Sequence, residues 1–112
     1  AVELLVQLLR DGDAEGKAQA ARALASLAIN VDDIMVVRAG AVDPLVQLLR
    51  TGNANGKAEA AWALGKLTAG INDDDNRIAI ARAGAVDPLV QLLRDGDVKG
   101  KAEAVRALTN LQ

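Results

Sequence analysis

The sequence predicts an all-α fold of stacked repeats, an α-solenoid, and three observations carry the prediction. A 13-residue segment, RAGAVDPLVQLLR, occurs at 38–50 and again without a change at 82–94, and a partial copy, AVELLVQLLR, opens the chain at 1–10. A second block recurs three times, as GKAQAARAL (16–24), GKAEAAWAL (56–64) and GKAEAVRAL (100–108). No segment alternates polar and apolar residues as a half-buried strand would. The copies of the second block stand 40 and then 44 residues apart. One unit therefore repeats, with its length change confined to a loop, AINVDD (28–33) against TAGINDDDN (68–76). Units of this kind bury their apolar faces only by packing on neighbours.

Within each unit the spacing predicts a short helix, a second short helix and a long one. The first short helix covers about 33–39 and 76–83 and ends at Gly40 and Gly84. Asp43-Pro44 and Asp87-Pro88 then read as an N-cap acid followed by proline at the first helical position. The Leu-Val-Gln-Leu-Leu that follows is too apolar for a surface helix and is expected to be buried on most sides. Gly52 and Gly96 end it, and Asp13, Asn53 and Asp97 cap the long helix, which runs to about Leu27, Leu67 and Leu111. Gly16, Gly56 and Gly100 recur near the start of that helix. Glycine inside a helix costs about 1 kcal/mol relative to alanine, so the backbone there is expected to pack closely. The chain divides into a partial unit at 1–29 lacking its first helix, a second unit at 30–70 and a third at 71–112, all one domain.

Composition removes most chemistry. Among 112 residues there is no His and no Cys, Trp62 is the only aromatic and Ser26 the only serine. Imidazole acid/base catalysis, thiol nucleophiles, Cys/His zinc sites and a Ser-His-Asp triad are all excluded. A net charge of −2 and a single aromatic give no platform for nucleic acid. No apolar run approaches a membrane span of about 20 residues, and no signal peptide is visible, so a soluble cytoplasmic or nuclear protein is expected. The chain opens on Ala rather than Met, which suits a fragment or processed product. With the unbroken 13-residue identity it also suits an engineered or recently duplicated unit.

Two stretches imitate ligand loops. DGDAEGK (11–17) has the acids of a calcium loop, but Arg22 stands where the bidentate Glu belongs. As a phosphate loop it has too few residues between its glycines, and Ala18 replaces the magnesium-binding Ser or Thr. Its counterparts TGNANGK (51–57) and DGDVKGK (95–101) keep the glycines and lose the acids. The stretch is a corner between helices. The acidic run at 72–76 suits the positive end of the helix it precedes better than a cation. No metal, cofactor or catalytic site is expected.

The order of helices, the Ala-Gly-Ala-Val-Asp-Pro-Leu-Val-Gln-Leu-Leu segments and Glu59-Ala-Ala-Trp-Ala-Leu64 together resemble the armadillo repeat across essentially the whole chain. Tetratricopeptide and ankyrin units, at about 33–34 residues, are too short for this period; the two-helix HEAT repeat is the alternative. The resemblance implies a right-handed α-solenoid of about two and two-thirds three-helix repeats, and a groove lined by the third helices that holds an extended peptide.

A helical wheel of the middle unit puts Ala60, Leu64 and Leu67 on the core side and Asn55, Glu59, Trp62 and Lys66 opposite. Trp62 then either packs on a neighbouring helix or lines the groove as a contact residue. In importin-α-type repeats a Trp and an Asn four residues later hold the peptide. Trp62 matches the Trp and Asn110 the Asn, but no unit here has both. The other units pair Arg22 with Ser26 and Arg106 with Asn110, and the middle unit pairs Trp62 with Lys66. Arg22, Lys66 and Arg106 make the groove partly basic, nearer to the β-catenin manner of holding acidic segments. Gln19, Glu59 and Glu103 on the same strip temper that preference.

A second surface is expected at the ends of the stack. Leu4, Leu5, Leu8 and Leu9 cannot all be covered by one long helix, and Val105, Leu108 and Leu111 have no following unit. Complementary open ends favour head-to-tail association or exchange of elements between copies. A self-assembling fragment without a physiological ligand is therefore the alternative to a peptide-binding module.

Overall fold

The computed structural model describes residues 2–29, 33–70 and 74–111. Among these the regular elements are all helical: α1 (Val2–Asp11), α2 (Ala14–Leu27), α3 (Asp33–Arg38), α4 (Val42–Thr51), α5 (Ala54–Leu67), α6 (Asp74–Arg82), α7 (Val86–Asp95) and α8 (Val98–Asn110). This is the expected order of short, short and long, with the first unit contributing its second and third helices. The long helices α2, α5 and α8 pack side by side, α1, α4 and α7 stack in a second row, and each of these packs on the long helix of its own unit. One apolar core runs through all three units from Val2 to Ala107.

The long-helix row is built from small side chains. Ala20, Ala21, Ala25, Ala60, Ala61, Ala63, Ala104 and Ala107 are all buried. A Cβ added to Gly65 would stand 3.9 Å from Ala107, so α5 and α8 approach closely. Small residues at a helix crossing set the axes at the short end of the usual 8–10 Å range.

Each corner between second and third helix is closed by the same set of residues. Asp13, Asn53 and Asp97 accept hydrogen bonds from the backbone N–H of Gly16, Gly56 and Gly100 at 2.8, 2.9 and 2.8 Å, N-caps worth about 1 kcal/mol each. Gly52 has an ordinary φ of −72°. It is glycine because a Cβ there would lie 2.7 Å from the Leu48 carbonyl oxygen and 2.8 Å from Leu48 Cδ1. A Cβ on Gly56 would meet the same Cδ1 at 3.1 Å, and Leu92 stands likewise over Gly96 and Gly100. One leucine thus covers two glycines at each corner, which accounts for the close packing expected at Gly16, Gly56 and Gly100. Among the described residues the left-handed backbone is confined to Gly40 and Gly84, with φ of 86° and 87°.

The second short helix starts earlier than the Asp-Pro spacing predicts. Val42 and Val86 are already helical, and Ala41 and Ala85 hold the N-cap position with no side-chain cap. The turn at the left-handed glycine brings the Ala41 carbonyl into line to accept from Leu45 N–H at 3.0 Å. Asp43 and Asp87 therefore fall inside the first turn, where their charge favours the positive helix end. Pro44 and Pro88 remain among the first four residues, whose N–H groups need no partner within the helix.

Of the acidic run at 72–76, Asn72 and Asp73 lie outside the described residues, and Asp74 and Asp75 open α6. Arg77 straps this helix in place. It pairs with Asp74 at 2.6 Å and donates from Nε to the Asn110 carbonyl at 2.9 Å and from Nη2 to the Gly70 carbonyl at 2.6 Å. Buried Asn76 donates to the Leu67 carbonyl at 2.9 Å. Both residues tie the start of the third unit to the ends of the long helices.

The terminal faces differ in part from expectation. Leu4 is 70% exposed, Leu8 is also exposed and Leu5 is half-buried, but Leu9 is fully buried. Leu9 is the counterpart of Leu49 and, with Val2 and Val6, joins the core on the side of α1 that the second unit covers, so it is not available at an open end. At the other end Val105 is exposed, whereas Leu108 and Leu111 are partly buried against the core. Val86, Leu93 and Val98, which sequence reasoning had not singled out, are also exposed there.

Candidate functional site

The register of 40 and 44 residues places four rows of matching positions across α2, α5 and α8: Glu15, Asn55 and Lys99; Gln19, Glu59 and Glu103; Arg22, Trp62 and Arg106; Ser26, Lys66 and Asn110. Between α5 and α8 the last three of these rows border a trough of about 380 Å³. Trp62, Lys66 and the bare backbone at Gly65 form one wall, and Glu103, Arg106 and Asn110 are on the other. The fold thus brings together on one trough the Trp and the Asn that no single unit carries, α5 supplying one and α8 the other.

Trp62 is half-buried, packs against the core and also lines the trough. Asn110 donates one amide N–H to the Gly65 carbonyl at 3.1 Å, which fixes the amide at the trough's floor and leaves its oxygen and second N–H outside that bond. Gly65 is inconspicuous in the sequence, yet its carbonyl anchors this bond between helices. Gln19, Ser26 and Asn55 are exposed on their helices but do not line the trough.

Glu59 departs from its expected place on a solvated strip. Its side chain is buried, with Oε2 lying 3.5 Å from Arg22 Nε and Oε1 3.5 Å from Lys99 Nζ. One carboxylate therefore joins three successive long helices. In the third unit the equivalent Glu103 reaches only within its own helix, to Arg106 at 3.9 Å. Lys99 was missed by the wheel of the middle unit, although the 44-residue register equates it with Asn55, already on the strip. With Lys99 included, the rows carry the four cations Arg22, Lys66, Lys99 and Arg106 against the three carboxylates Glu15, Glu59 and Glu103.

A larger recess of about 590 Å³ lies on the other row, between α4 and α7. It is lined by Arg50 and Lys57 together with Asp87, Asp95 and Asp97. It mixes cations with carboxylates and holds no aromatic, so the trough beside Trp62 is the better candidate.

Residues 33–69 and 73–111 match the Armadillo/beta-catenin-like repeat family, covering about two thirds of the chain. The chain belongs to the armadillo repeat family. No curated protein matches it. Among solved structures, an engineered protein is 38% identical with a TM-score of 0.90, over 97% of this chain and 45% of that one. A designed armadillo repeat protein in complex with a (KR)4 peptide is 36% identical with a TM-score of 0.88, over 98% of this chain and 46% of that one. A computationally designed armadillo repeat protein for modular peptide recognition is 30% identical with a TM-score of 0.88, again over 98% and 46%. This armadillo chain spans less than half the length of each of these neighbours. Their engineered origin fits the unbroken 13-residue identity within it.

Proposed function

We propose that this armadillo module is a non-enzymatic binding protein that holds an extended peptide segment across its third helices. The observation that carries this reading is the trough in which Trp62 and Asn110, from adjacent units, stand on facing walls. A half-buried indole that lines the trough gives a broad anchor at small entropic cost, and aromatic and Arg residues are the usual centres of binding energy. The designed neighbour that holds a (KR)4 peptide on the same fold supports the reading. With three long helices the groove has room for a short segment, and weak affinity is expected.

Trp62 is the only aromatic in the chain, so its emission is a direct probe. Titration with a short-peptide library should shift that emission for a subset of peptides. Trp62→Ala should weaken the same peptides, labelled and followed by anisotropy, by about 10-fold or more, the cost of losing a hot-spot residue. Equal binding by both proteins removes Trp62 from the site.

A second reading, head-to-tail self-association, is favoured by the exposed Val86, Leu93 and Val105 at one end and Leu4 and Leu8 at the other. The matching positions Val42, Leu49, Ala61 and Leu48 are buried inside the stack. Light scattering should then show a mass that rises with concentration; a strict monomer at high micromolar concentration sinks this reading.

A further inference from the structure

The long helices turn the same face toward the unit that follows, but not with the same side chains. At one position of the register stand Ala21, Ala61 and Val105, and one turn further on Ala25, Gly65 and Thr109. Ala21, Ala25, Ala61 and Gly65 are buried, whereas Val105 is 48% exposed and Thr109 is exposed too. The next long helix is what covers the first four. The α5–α8 joint shows how little room that helix leaves. A Cβ added to Gly65 would already stand at van der Waals distance, 3.9 Å, from the Cα, Cβ and N of Ala107. A methyl group fits, and Ala25 supplies one at the matching place on α2. Val and Thr branch at Cβ and reach one bond further with two more heavy atoms. In a helix such a side chain has only one or two rotamers with which to avoid a neighbour.

The row of second helices behaves differently. Val86 and Leu93 of α7 are the same residue types as Val42 and Leu49 of α4, so α7 keeps outward the side chains that α4 buries in the stack. We propose that Val105 and Thr109 make α8 a stop: the end of the stack matches a second copy of this chain along α7 and excludes it along α8, where α2 of that copy cannot approach as closely as α8 approaches α5. This limits the head-to-tail reading without depending on it. It also gives the exposed Val105 a role opposite to that of an apolar contact, because here the extra methyl groups hold a second copy away.

Sedimentation equilibrium up to high micromolar concentration tests this with wild type, the double variant Val105→Ala/Thr109→Ala, and the same variant carrying Leu93→Ala as well. All three side chains are exposed, so the fold of the single copy does not rest on them. Restoring the small side chains of the internal joints should tighten self-association by about 10-fold or more, the order expected when overpacked branches are removed. Adding Leu93→Ala should weaken it again, because the matched α7 face then loses its contact. A double variant that associates no more tightly than wild type overturns the proposal and leaves the head-to-tail reading standing. A triple variant as tightly associated as the double one overturns it too, since the copies then meet by another face. A wild type that stays monomeric while the double variant associates removes the head-to-tail reading and supports the stop. A second arm needs no assembly: Ala61→Val with Gly65→Thr puts the same side chains into the α5–α8 joint and should lower the midpoint of urea unfolding by about 1 M or more. An unchanged midpoint overturns the proposal as well.

Discussion

Helices α4 and α7 lie within identical 13-residue segments and yet are buried differently. Leu45 and Leu89 are both fully buried, and Leu48 and Leu92 nearly so. These positions are covered by what precedes them in the stack: Leu8, which lies over the same glycine corner in the first unit, is 41% exposed. Val42 is 8% exposed but Val86 40%, and Leu49 is 2% exposed but Leu93 38%. Those positions are covered only when another unit stacks on them. About half of the apolar face of this helix is therefore covered from the preceding side of the stack and half by the unit that follows. That division is the physical content of a solenoid's nearest-neighbour energetics.

The comparison is broken most sharply by truncating its two equivalent leucines. Leu49→Ala should cost about 2–4 kcal/mol, as expected for a fully buried leucine that leaves a cavity. Leu93→Ala in the same sequence context should cost under about 1 kcal/mol, because its surroundings are already open. Urea unfolding of the two variants measures the difference; equal losses would mean that a further copy or segment covers α7 in solution. Next in size are Gly52→Ala and Gly96→Ala. Each places a Cβ against a carbonyl oxygen of the preceding helix, at 2.7 and 2.5 Å, and each should cost about 1–3 kcal/mol. These two should be alike, because the corner belongs to a single unit. The caps follow: Asn53→Ala and Asp97→Ala should each lose about 1 kcal/mol in the same measurement, and again with little difference between units.

The smallest effect concerns the exposed faces themselves. In a head-to-tail joint that repeated the internal register, Glu15 of a second copy would lie beside Glu103, where the α5–α8 joint has Lys99 beside Glu59. Any such association should be weak and should strengthen with salt, by about 2-fold or a little more, as like charges at a partly exposed joint are screened. Sedimentation at two salt concentrations reads this directly. Weakening with salt would rule out that register.

The helices and their order were legible because each unit states them redundantly: caps at Asp13, Asn53 and Asp97, glycines at every corner, and the same apolar core repeated. The start of α4 and α7 was misplaced by the Asp-Pro pair, since an acid and a proline suit several positions of a first turn and only the left-handed turn at Gly40 or Gly84 decides among them. Leu9 was assigned to an open end because a single helix cannot reveal which of its faces the next unit takes. The lining of the trough was legible at Trp62 and Asn110, where residue type carried the signal, and the surroundings of Glu59 only in part. A wheel places Glu59 on the surface side of α5, but its burial is imposed by Arg22 and Lys99 from other helices. Lys99 could have been found by applying the 44-residue register to the strip already drawn.

The leucine that lies over two glycines at each corner has a consequence for variation along the chain. The spacings of 40 and then 44 residues show that length varies between the long helix of one unit and the corner of the next. At Gly12, Gly52 and Gly96, by contrast, any side chain meets a carbonyl oxygen or the leucine above it. A saturation scan of the gene should show three intolerant columns, spaced by 40 and then 44 codons, in a background that otherwise drifts freely on the surface. Those columns would report the repeat boundary even after every other trace of the shared 13-residue segment had been erased.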